Sequence, residues 1–68
     1  MIVFTHRPSP HGWTFHSDAW DLDGGGETLE ASMASSEHAA RHCLSLEQGY
    51  PVLPEDACHQ VEHVVTRS

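Results

Sequence analysis

The stretch Trp20–Met33, WDLDGGGETLEASM, decides how this chain folds. Before its glycines, acids alternate with an apolar residue in Asp21-Leu22-Asp23, the period of two that belongs to a short strand. After them the period changes. From Thr28 onward Leu29, Met33, Ser36, Ala40, Cys43 and Leu44 recur at steps of three and four, with Ser32, Ala39 and Leu46 beside them, while Glu30, Glu37, His38, Arg41 and His42 take the opposite side. Gly24–Gly26 form the junction, and the expectation is that they supply unusual backbone angles at a strand-to-helix crossing. A phosphate cradle does not fit. A P-loop needs a lysine and a hydroxyl residue after its glycines, a dinucleotide fingerprint needs spaced ones, and Glu27 sets a negative charge where phosphate would lie.

Working outward, the helix is expected to run for about 19 residues, roughly 28 Å at the usual rise. Thr28 is its natural N-cap, Glu27 and Glu30 suit its positive end, and Gly49 suits its stop. Its inward stripe is small (Ser32, Ser36, Ala39, Ala40, Cys43), which allows close approach to a sheet. On the N-terminal side, Met1–Thr5 reads as a strand ended by RPSPHG, where Pro8 and Pro10 remove two ladder donors. Trp13 and Phe15 then alternate with Thr14 and His16, so the two segments pair as a hairpin with one aromatic face. The tail has two readings. Pro54-Glu55-Asp56 carries helix-start signals that would place Ala57, Val61, Val64 and Val65 on a helix, yet Val61–Thr66 is β-branched enough for a strand.

With 68 residues and 38% hydrophobic content, residues 1–68 make one small domain with a thin core, so a homodimer or higher homo-oligomer is expected. The formal charge is −7, from ten carboxylates against Arg7, Arg41 and Arg67, with no lysine. That balance repels phosphate, which argues against direct nucleic-acid binding and for a basic protein partner. Seven histidines would cancel most of the charge near pH 6. The start, MIVFTHRP, lacks a basic n-region and a long apolar run, so no secretion signal or membrane span is expected and the chain reads as cytoplasmic, with Cys43 and Cys58 as free thiols.

Ser17–Ala40, SDAWDLDGGGETLEASMASSEHAA, resembles the HicB-like antitoxin domain family without gaps, through Asp18, Gly26, Glu27, Thr28, Leu29, Glu30, Met33, Glu37 and Ala39. Gly49, Pro51 and Pro54 echo that family's exit from the helix. Trp20 and Asp21 stand where the family has Pro-Gly, and no ribbon or helix-turn-helix segment that would bind an operator is expected. The resemblance implies an α+β fold of order β-β-β-α-β: an antiparallel sheet of three to four strands with one helix on one face, a partial ribonuclease H-like arrangement. It tips the tail toward a strand near His59–Val65. It also implies a non-enzymatic antitoxin that binds a small basic HicA-type mRNA interferase in a type II toxin–antitoxin system. Asp18, Asp21, Asp23, Glu27 and Glu30 would meet the toxin's cations, and Trp20 and Leu22 would supply desolvated contact.

Ribonuclease H chemistry needs carboxylates from several core strands around a metal. Asp21 and Asp23 share a face at period two and pair as magnesium candidates, but with no third acid from another strand they read as solvated, and no cofactor is expected. The rival reading is a histidine/cysteine metal-binding or pH-responsive oligomer. His38 and His42 are four apart, as are His59 and His63, and with Cys43 and Cys58 they offer tetrahedral zinc ligands. His6, His11 and His16 lie in or beside the hairpin with no nucleophile motif attached, so no catalytic residue is expected and they read as surface or strand-lining side chains.

Overall fold

The computed structural model describes residues 1–67. The order is β1 (Ile2–Ser9), β2 (Gly12–Ser17), β3 (Leu22–Gly26), α1 (Leu29–Gln48), α2 (Pro54–Cys58) and β4 (Val61–Val65). One four-stranded sheet runs β3-β2-β1-β4, and α1 touches every strand of it. This is the expected α+β arrangement of β-β-β-α-β order, with a helical turn added before the last strand.

One pairing is parallel. β1–β2 and β2–β3 are antiparallel, whereas β4 lies parallel to β1 with Ile2 opposite Val61 and His6 opposite Val65. Two antiparallel steps leave β3 pointing along β1, and the α1 crossover then delivers β4 in that same direction. Both readings of the tail hold in part. Pro54 opens α2 with Glu55 and Asp56 in its first turn, and the chain then extends into β4.

β1 continues through Pro8 to Ser9, beyond the predicted end at Thr5. β4 stops pairing at His6, so Pro8 faces no ladder partner on that side, the condition under which a strand tolerates proline. The glycines correct the expectation more sharply. Gly24–Gly26 lie inside β3, opposite Phe15, Thr14 and Trp13, and none has a positive φ. Their role is close approach: a Cβ on Gly24 would sit 2.5 Å from the Phe15 ring, and one on Gly26 would sit 2.7 Å from the Ala31 Cβ. Positive φ falls instead on Asp21, at 51°, in the turn before β3, so Asp21 is not on the strand face with Asp23.

α1 spans 20 residues. The Thr28 hydroxyl accepts from the Ala31 N–H, and Gly49 closes the helix at φ 82° with its N–H donating to the Ser45 carbonyl. Ser32, Ser36, Ala40 and Leu44, a row at steps of four, are buried against the sheet. Leu46, expected beside that stripe, is exposed. Glu37 and Arg41, expected in solvent, are half-buried, because the neighbouring row faces α2 and its lead-in. There the Arg41 Nε donates to the Val52 carbonyl at 2.6 Å, and the Val52 N–H donates to Ser45 Oγ at 3.0 Å. The core joins Ile2, Phe4, Phe15, Ala40, Leu44, Val52 and Ala57, with Phe4 and Phe15 edge to face at 5.4 Å.

Candidate functional site

The face of the sheet turned away from α1 carries the first constellation. β2 is an inner strand, and because Phe15 points into the core, His16 points out, opposite Thr5 on β1 and Asp23 on β3. Its Nδ1 donates to Asp23 Oδ1 and its Nε2 donates to Asp18 Oδ1, both at 2.7 Å. Ionised carboxylates only accept, so the two bonds are made together when both ring nitrogens carry protons, and the pair of acids favours the imidazolium form. Its pKa is raised accordingly, by the hydrogen bond to Asp23 first and that to Asp18 second. The left-handed turn at Asp21 brings that carboxylate in as well: ligand atoms of His16, Asp21 and Asp23 lie within 4.8 Å of one another. Beside them a shallow depression is floored by Thr5, Arg7 and Thr14.

Of the residues expected to meet a partner, Asp18, Asp21 and Asp23 are therefore gathered around one histidine and are exposed. Trp20 and Leu22 are half-buried and pack on the core. Glu27 and Glu30 are exposed past the other end of β3, roughly 16 Å away along the strand. His16 itself was read from sequence as a surface or strand-lining residue. Its cross-strand partnership with Asp23 becomes visible only once the β2–β3 register is known.

A second constellation lies between the sheet and the helices. His6 follows Ile2 and Phe4 on the inward face of β1 and is fully buried. Of its two readings, surface or strand-lining, that burial leaves the second, and the period of two from Ile2 was the signal available. His6 Nδ1 is hydrogen-bonded to Ser32 Oγ, and His6 Nε2 to His63 Nδ1, each at 2.8 Å. Burial, and secondly the neighbouring His63, lower the His6 pKa. His63 Nε2 is buried, has no hydrogen-bond partner among the described residues, and points to Glu37 Oε1 at 3.8 Å. The same oxygen accepts from Cys58 Sγ at 3.3 Å, which holds that thiol above its usual pKa.

Ser32 and His6 have the spacing of a nucleophile and its base, but neither is accessible to a substrate. Cys58 is accessible, but a carboxylate beside it opposes thiolate formation, the reverse of nucleophile activation. The expected zinc set does not assemble as such. Among the described residues, His38, His42 and His59 are exposed, and no three of His38, His42, Cys43, Cys58, His59 and His63 converge. His63 and Cys58 do approach a common side chain, Glu37, which the helical pattern had placed in solvent.

Among the described residues, no helix is long and apolar enough to cross a membrane. No protein-family model, curated protein sequence or solved structure matches the chain.

Proposed function

We propose that this chain is a non-enzymatic, HicB-like antitoxin domain that neutralises a small basic HicA-type ribonuclease by binding it. The observation that carries the reading is the exposed group of Asp18, Asp21 and Asp23 gathered at the β2–β3 turn on a chain of charge −7 without lysine. His16 fixes the orientation of Asp18 and Asp23, so the carboxylates are presented in one geometry, and when protonated it offsets one of their charges. Pre-ordering lowers the side-chain entropy lost on binding. The sheet order and the GETLE helix entry, Gly26–Glu30, support the resemblance in fold on which the identity of the partner rests. Because Trp20 and Leu22 are turned toward the core, apolar contact from that turn is limited to their exposed edges.

Co-expression with a basic toxin encoded by a neighbouring gene is expected to restore growth. The triple variant Asp18→Asn, Asp21→Asn, Asp23→Asn is expected to bind that toxin at least about threefold more weakly, mainly through slower association at low salt, since exposed pairs contribute roughly 0.2–1 kcal/mol each. Binding unchanged by the triple substitution would remove this turn from the interface.

A further inference from the structure

We propose that His63, Glu37 and Cys58 form a binding site for one borderline-soft divalent cation of the zinc class, at the junction of β4, α1 and α2. This inference is independent of the antitoxin reading.

The geometry begins with His63 Nε2, a buried nitrogen without a hydrogen-bond partner that points at a carboxylate. Two tautomers fit the chain of hydrogen bonds around it. In one, Nε2 carries the proton. In the other, the Nδ1–H of His63 donates to His6 Nε2 and the Nδ1–H of His6 donates to Ser32 Oγ, which leaves a bare lone pair at Nε2 facing the Glu37 oxygen. Two electron-rich atoms at 3.8 Å then call for a cation between them. A second-sphere hydrogen bond from the far ring nitrogen is also what holds a metal-binding imidazole in orientation.

The distances fit a metal. Ligand atoms about 2.0–2.3 Å from a tetrahedral centre lie about 3.3–3.5 Å from each other. Glu37 Oε1 is 3.8 Å from His63 Nε2 and 3.3 Å from Cys58 Sγ. The sulfur and the imidazole nitrogen each approach the carboxylate but do not yet lie within 4.8 Å of each other. Closing that edge falls to Cys58, an exposed side chain with one heavy-atom torsion at the end of a five-residue helix. Glu37 and Cys58 line a groove between α1 and α2 that is open to solvent, and Glu55 lines it too, so the fourth position is taken by water or by Glu55.

The charge closes. A thiolate, a carboxylate and a neutral imidazole offset a dication, and binding releases the Cys58 thiol proton to solvent. The His16 group is the competing candidate, and its hydrogen bonding works against it. Both ring nitrogens there are engaged with carboxylates, so a metal would have to break one of those hydrogen bonds and displace its proton in a satisfied, exposed cluster.

The test is a cobalt(II) titration of the tag-free, chelator-treated, reduced full chain, followed by zinc displacement. Saturation at one ion per chain is expected, with a near-ultraviolet thiolate-to-cobalt band that zinc removes. Cys58→Ser is expected to abolish the band, Glu37→Gln to weaken binding by about tenfold or more, and both Cys43→Ser and the double variant Asp21→Asn, Asp23→Asn to leave it unchanged. Cys58 is exposed and Glu37 half-buried, so circular dichroism should show both variants folded. No saturable band, a band that survives Cys58→Ser, or an affinity indifferent to Glu37→Gln would each overturn the proposal.

Discussion

At the scale of single residues, the two bonded histidines of the hairpin respond to acid in opposite senses. His6 is fully buried and faces His63 on β4, Ser32 on α1 and, through His63, Glu37 and Cys58; its folded pKa is lowered. The unfolded chain therefore takes up a proton near pH 6.5 that the folded chain refuses. The stability tied to His6 is complete above that pH and is lost as the pH falls toward the folded value. His16 has a raised pKa, so its contribution is present below about pH 6.5 and fades as the pH rises through the folded value. Solvent around that half-exposed ring keeps the second effect small. Urea midpoints taken from pH 7.5 to 5 should fall for the native chain. They should fall less steeply for His6→Gln, and an equal slope in the two proteins would detach acid sensitivity from His6. The position of His6 was legible in its phase with Ile2 and Phe4. Its partners, twenty-six and fifty-seven residues away, were not.

At the scale of elements, α1 was the most legible part of the chain because its start and stop are local. Thr28 caps it through a hydroxyl three residues from the amide it serves, and Gly49 takes the left-handed angle that glycine tolerates. Thr28→Ala should cost about 1 kcal/mol. For a domain this small that corresponds to a drop of about 4–8 °C in melting temperature, measurable by circular dichroism at 222 nm. β3 was the least legible element. Its glycines read as a break, because glycine weakens a strand and is common in turns. What they accommodate is the Phe15 ring on β2 and Ala31 at the head of α1, neither of which is a sequence neighbour. A strand built to admit its neighbours and a loop built to turn have the same local composition.

At the scale of the whole molecule, one sheet face is covered and the other is open. Val3 and Val64 are exposed on that open side, on the paired strands β1 and β4. A chain of this length buries a modest fraction of its surface, so a second copy laid on the open face would add apolar burial that the single chain lacks. The charge of −7 opposes such self-association, and salt screens it. Light scattering at about 0.3 M salt is therefore expected to give twice the 7.5 kDa chain mass, and Val64→Glu to return the monomer. A monomer at every concentration would leave the open face to a different partner.

What the sequence alone determined was everything governed by short spacing: the alternation of the hairpin, the three-and-four rhythm of α1 with its two caps, the helix-start signals at Pro54 and the β-branched run that became β4. Tertiary structure decided what depended on register and on crossing. It placed Asp23 beside His16, turned Glu37 from solvent toward His63 and Cys58, and set β4 parallel to β1. The physical reason is that helix and strand periods are written into adjacent residues, whereas hydrogen bonds between side chains on different elements exist only after the sheet has chosen its neighbours and the helix has chosen its rotation above it.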